Sequence, residues 1–291
     1  MPGLKVRALF RRSFTSRRST TAALAIALAC FCSACGAPEP LATGVIWQLH
    51  EQAPDAKGSW QRLGARELLV QWLAVDGVAY VPGTGMRSSA RTPDWERISR
   101  EPWAERVIVG LSGRSNEAQA RRSLAAMAEE SRRIASLSLP FRVAGWYFPA
   151  EVDPTWKEAA ALMPQALEGL PRPLWISAYD GGSMRPADYA AWIASWLPRD
   201  VGVMFQDGVG LRLREPAHAR AYVEALAERL GPGRVALIAE AFRADGGKMR
   251  PATAAELKPQ LAAYRGLRIY IFDGPHYLPE RVVSDLVPAR D

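Results

Sequence analysis

"RVIVGLSGRSNEAQARRSLAAMAEESRRIASLSLPFRVAGWYF", residues 106–148, sets a short apolar run, a long amphipathic segment and a second apolar run in one line. The outer pieces, "RVIVGL" (106–111) and "RVAGWYF" (142–148), are rich in Val, Ile and aromatic residues and have the length of strands. Between them, "NEAQARRSLAAMAEESRRIASL" places apolar residues every three or four positions, the spacing of one helix face. Strand, helix and strand in this order predict two parallel strands joined by a crossover helix.

The same rhythm extends in both directions. Further strand-like runs are "GVIWQL" (44–49), "LLVQWLAV" (68–75), "LWISAY" (174–179), "VGVMF" (201–205), "RVALIA" (234–239) and "LRIYIF" (267–272). Helical patterns follow in "PTWKEAAALMPQALEGL", "ADYAAWIASWL", "PAHARAYVEALAERLG" and "TAAELKPQLAAYRG". Several carry caps: Asp153-Pro154 ahead of the first, Gly231 after the third, and Thr253 three residues before Glu256. Eight strands alternating with helices over about 250 residues predict a single-domain (β/α)8 TIM barrel over 43–291. The rival is an open doubly wound sheet, which usually carries a glycine-rich turn for a phosphate or dinucleotide. The chain has no G-x-G-x-x-G, and "GTG" at 83–85 is isolated, so the barrel is preferred and no cofactor is expected.

Ahead of the barrel, Arg11, Arg12, Arg17 and Arg18 precede the apolar run "TAALAIALACF". A basic start, a short apolar run and small residues are the parts of an export signal, assigned to 1–35, with 36–42 as a linker. "CSAC" resembles a bacterial lipobox, which implies lipidation at Cys35 and a periplasmic protein anchored to the outer membrane. Cleavage near Ala34 or Ala37 is the alternative and gives a soluble periplasmic protein. "FRRSFTS" (10–16) also resembles a twin-arginine signal, although an ordinary basic leader explains the same residues. All three cysteines lie in this leader, so the mature chain is expected to have neither a disulfide nor a cysteine metal site. The formal charge is +7, and six Lys or Arg with no acid fall within 1–34, which leaves +1 for the rest. Basicity is therefore a property of the leader, and nucleic acid is not expected as a partner.

A barrel of this type builds its site where the strands end. The candidate side chains there are Trp47, His50, Gln71, Tyr147, Glu151, Tyr179, Gln206, Asp207, Glu240 and Asp273, with His276 just beyond. They are acids, amides and aromatics, and basic residues are few. Sugar rings stack their C–H faces on aromatic rings and pair their hydroxyls with acids and amides, so carbohydrate fits best. If Glu151 points inward, Tyr147 shares its parity and Trp146 does not. His50, His218 and His276 are dispersed, without the spacing of a metal motif, so no metal is expected.

Glycoside hydrolysis needs two carboxyl groups, one to donate a proton and one as nucleophile or base. Glu151 follows the fourth strand-like run and Glu240 the seventh, and Asp207 is a third candidate. That placement resembles the large clan of retaining (β/α)8 glycosidases, whose acid/base glutamate follows strand four and whose nucleophile follows strand seven. The resemblance implies Glu151 as acid/base and Glu240 as nucleophile. It departs at Ala150, where the clan has an asparagine.

"GVIWQL", "LLVQW", "GWYFPAEVD", "ISAY" and "FQDGVG" together resemble a group of glycoside-hydrolase-like barrels, domain of unknown function 4434. That group is bacterial, often exported and in part associated with polysaccharide production. The residues matching it are Gln71, Tyr147, Glu151, Gln206 and Asp207. Two functions are therefore carried forward. One is an exported, monomeric glycoside hydrolase acting on a bacterial exopolysaccharide or envelope glycan. The other is a non-catalytic glycan-binding lipoprotein that accompanies polysaccharide synthesis or export.

Overall fold

A computed structural model describes residues 39–287. The export signal, the proposed lipidation at Cys35 and residues 36–38 of the linker lie outside the described residues.

Eight parallel strands close into a barrel: β1 (Gly44–Trp47), β2 (Glu67–Val70), β3 (Arg106–Gly110), β4 (Val143–Val152), β5 (Leu174–Ala178), β6 (Val201–Gln206), β7 (Val235–Glu240) and β8 (Ile269–Phe272). Each strand pairs with its neighbours in sequence, and β1 closes on β8 through Gly44↔Tyr270 and Val45↔Ile271. The expected TIM barrel is the observed fold.

Residue alternation splits every strand between two layers. Ile46, Leu69, Ile108, Tyr147, Trp175, Met204, Ala236, Ile238 and Tyr270 face inward, so every strand contributes to the barrel interior. Their neighbours, such as Val45, Val70, Val109, Ile176, Val203, Leu237 and Ile271, pack outward against the surrounding helices. Trp47 and Trp72 belong to this outer layer. Below the interior layer, at the strands' N-terminal ends, buried Glu67 accepts hydrogen bonds from Arg106, Arg268 and the Tyr270 hydroxyl. The Arg268 guanidinium lies 4.8 Å from the centre of the Trp175 ring. This ion-paired group seals the lower end of the barrel.

From β3 onward the connections are helical: α1 (Glu117–Arg122), α2 (Leu124–Ala135), α3 (Ala159–Leu167), α4 (Pro186–Trp196), α5 (Pro216–Leu230) and α6 (Ala254–Ala263). The single helix expected over 116–137 is divided at Ser123, which ends α1 and precedes α2. Thr253 caps α6 in a reciprocal pair with Glu256, as its spacing predicts. The first two connections differ from the expected pattern. A 3-10 turn at Trp60–Leu63 stands after β1. After β2, short strand pieces at Ala74–Val75, Val78–Ala79 and Arg87–Ser88 replace a long helix. "LLVQWLAV" is thus one barrel strand followed by part of a small separate sheet.

Asp153-Pro154 does not start a helix, because α3 begins at Ala159. The Asp153 carboxylate instead accepts from the backbone N–H and hydroxyl of Thr155 and pairs with Arg121, closing a turn. Strand β4 also runs past the aromatics that were expected to end it. Phe148 pairs with Ile176 and Val152 with Ala178, so β4 holds two more residues than β5 over this stretch. This bulge carries Glu151, and irregularities of this kind commonly re-aim a side chain beside a site.

Candidate active site

A cavity of about 170 Å³ opens at the C-terminal mouth of the barrel. Its size is near that of a cavity that takes one benzene-sized ring, roughly 150 Å³. Ile46, Leu69, Tyr147 and Ile238 form its floor from the inward layer. Leu211, Phe242 and Phe272 complete the apolar wall, and Gln71, Glu151, Gln206 and Glu240 are the polar groups. Of the residues singled out in the sequence, the barrel therefore gathers Gln71, Tyr147, Glu151, Gln206 and Glu240 on one cavity. Tyr147 lines the cavity with Glu151, whereas Trp146 packs in the outer layer.

Glu240 ends β7 and is 4 % exposed. Its Oε2 accepts from the backbone N–H of Gly210 at 2.7 Å and of Leu211 at 3.2 Å. These donors come from the loop after β6, which turns at Gly208 with φ +66°. Gly210 must be glycine for the loop to come this close. A Cβ there would lie 2.7 Å from the Phe242 carbonyl and 2.9 Å from Glu240 Oε2. Arg243 does not take the Glu240 carboxylate. Its guanidinium donates to the backbone carbonyls of Glu240 and Phe242 and to the Gln260 side chain. Burial pushes the Glu240 carboxyl up to about 8, with the charge of Asp207 adding to the rise and the two N–H groups opposing it.

Glu151 is partly exposed at the mouth. Burial of its carboxyl raises its pKa above the ordinary glutamate value. The neighbouring Gln206 amide opposes this, and the charge of Glu117 adds to it. The two glutamates thus share the cavity as groups that hold their protons more tightly than free glutamate. Tyr147 is raised by burial and then by the Glu151 charge, and its hydroxyl donates to Ser177 Oγ at 2.7 Å.

Five residues expected at the site are used otherwise. Trp47 has the opposite parity to Ile46, so it packs in the outer layer beside Trp95, with ring centres 5.8 Å apart. Asp207 is fully buried behind Glu240, and both of its oxygens are occupied. Oδ1 accepts from Val209 N and Glu240 N, and Oδ2 from Gln260 Nε2 and the Tyr264 hydroxyl. It sets the position and the proton affinity of Glu240 from outside the cavity. Tyr179 reaches Glu117 Oε1 at 3.2 Å and does not line the cavity. Asp273 is buried, its Oδ2 accepting from Gln48 N at 2.8 Å and meeting His276 Nδ1 at 2.8 Å. His50 pairs with His276 through their Nε2 atoms at 2.8 Å. That Asp273–His276–His50 chain ties the exit of β8 to the exit of β1. Among the described residues, no group of three or more His, Cys, Asp and Glu is arranged to hold a metal ion.

Leu211, Phe242 and Phe272 escaped the sequence reading. Phe272 ends β8 and Phe242 follows Glu240 by two residues, so counting on from the strand ends would have found both. Leu211 carries no such mark. Its place depends on the loop fold that Gly208 and Gly210 permit. No known protein family, curated protein or solved structure matches the chain.

Proposed function

We propose that the chain is an exported glycoside hydrolase of the glycoside-hydrolase-like barrel type, tethered through Cys35 and acting on a bacterial exopolysaccharide or envelope glycan. The observation that carries this reading is the meeting of Glu151 from β4 and Glu240 from β7 in one ring-sized cavity at the strand ends. Glu151, whose proton affinity burial raises, is the proton donor to the glycosidic oxygen. Glu240, fixed by two backbone N–H groups, is the nucleophile or base. Gln71 and Gln206 pair with ring hydroxyls, and Phe242 and Phe272 supply apolar surface for the C–H face.

Two observations favour a second reading, a glycan-binding lipoprotein without turnover. Ala150 stands where the retaining clan has an asparagine, and burial disfavours ionised Glu240, the form a nucleophile needs. A panel of oligosaccharides incubated with wild type, Glu151→Gln and Glu240→Gln separates the two. The hydrolase reading expects new reducing ends with wild type and none with either variant. Binding without product across the panel supports the second reading, and full activity in Glu151→Gln refutes the assignment of the donor.

A further inference from the structure

We propose that the ligand of this cavity carries a free protonated amine, so that the sugar it takes is an amino sugar with an unacetylated nitrogen. The inference rests on the glycan reading above for the ring and on the cavity's own chemistry for the charge. No basic residue lines the cavity, although two carboxyl groups do. The arginines nearest these acids hydrogen-bond to other groups, although the charge of Arg214 lowers the Glu240 pKa and that of Arg121 the Glu151 pKa. Arg214 donates to the backbone carbonyls of Asp180, Gln206 and Asp207. Arg121 pairs with Glu117 and Asp153 on the far side of Glu151.

What the cavity offers is acceptors. Both donors to Glu240 fall on Oε2, and no described residue hydrogen-bonds Oε1. Gln71 Oε1 is buried without a partner. Phe242 and Phe272 meet edge to face with ring centres 6.3 Å apart, and both line the same space. An ammonium group brings three N–H donors and one positive charge, which such acceptors and ring faces attract. A uronic acid or phosphate would bring a negative charge against two carboxyl groups and oppose the ionisation of either. A neutral sugar would supply donors but no positive charge to favour ionisation of Glu240.

The charge also completes the chemistry. In the free protein, burial and Asp207 favour the protonated form of Glu240, and burial raises the proton affinity of Glu151. When the ammonium enters, Glu240 loses its proton to solvent and its carboxylate pairs with the bound cation. Glu151, flanked by Glu117, Arg121 and Asp153, keeps its proton for the leaving group. The substrate itself switches Glu240 from acid to nucleophile or base.

Calorimetric titration at pH 5.5, where the sugar amine already carries its proton, tests this with the tetramers of glucosamine, N-acetylglucosamine and glucose, each in two buffers of different ionisation enthalpy. The glucosamine tetramer is expected to bind roughly tenfold tighter than the others. Close to one proton should be released, as a carboxyl near 8 becomes ionised. Glu240→Gln should abolish both the preference and the proton release. The wild-type proton count decides the matter even if that variant does not fold. Equal binding of the neutral or acetylated tetramer, or binding without proton release, overturns the amine and leaves the glycan reading standing. If no tetramer binds but phenethylammonium does, with proton release, the amine stands and the glycan reading falls. Binding of none of the four overturns the inference.

Discussion

Replacing Glu240 by glutamine should stabilise the protein in alkaline solution and change it little in acid. The folded carboxyl sits at about 8 against an ordinary 4.5, chiefly through burial and secondarily through Asp207. The folded state therefore holds this proton more tightly than the unfolded chain. The resulting stability is fully present below about 4.5, falls as the pH rises and is gone above about 8. At roughly 1.4 kcal/mol per pH unit, the interval from 4.5 to about 8 gives a ceiling of about 5 kcal/mol. Glutamine retains an oxygen for the N–H groups of Gly210 and Leu211 and turns its amide toward the cavity. Urea unfolding of both proteins at several values between pH 4 and pH 9 measures the effect, and groups common to both cancel in the difference. The difference should grow from under about 1 kcal/mol in acid to about 2 kcal/mol or more in alkali. Parallel curves across that range would mean that Glu240 titrates as an ordinary glutamate and that the cavity does not hold its proton.

Three further outcomes follow from the same geometry. Gly210→Ala drives a methyl group against the Phe242 carbonyl and Glu240 Oε2, and should cost about 1–3 kcal/mol in urea unfolding while weakening oligosaccharide binding. Tyr264→Phe removes one of the four hydrogen bonds to buried Asp207 and should cost about 1–3 kcal/mol. It should also move the pH at which Glu240 ionises, read as a displaced pH profile of binding. Trp47→Phe should lower stability by about 1–3 kcal/mol through lost packing in the outer layer, with calorimetric binding of any oligosaccharide unchanged.

The barrel was legible because parallel strands buried on both faces read as apolar runs, and the helices between them keep a 3.6-residue period. The first two crossovers were not legible. They are built from 3-10 turns, strand fragments and a four-residue helix, Trp95–Ile98, which leave no periodicity to find. Double burial also explains the misplaced Trp47. When both faces of β1 are apolar, nothing in "GVIW" marks which residues face inward. Tyr147 escaped this ambiguity only because a carboxylate, Glu151, shares its parity across the β4 bulge. Asp207 and Asp273 illustrate a different limit. A buried acid at a strand end reads the same in sequence whether it faces a ligand or holds a loop. Only its hydrogen-bond partners, supplied by residues as distant as Tyr264 and Gln48, tell the two apart.

The sealed lower end of the barrel bears on how such a site would turn over. Beneath the cavity lie Tyr147, Trp175, Met204 and Tyr270, and beneath them Glu67 with its two arginines. This floor makes the cavity a room with one door. Ligand, leaving fragment, water and proton all have to use the opening at the C-terminal end of the strands. A polymer cannot be threaded through such a room and can only present an end or a side group to it. Each departure must also precede the next arrival, so any cycle run here has to include release through the mouth as a separate step.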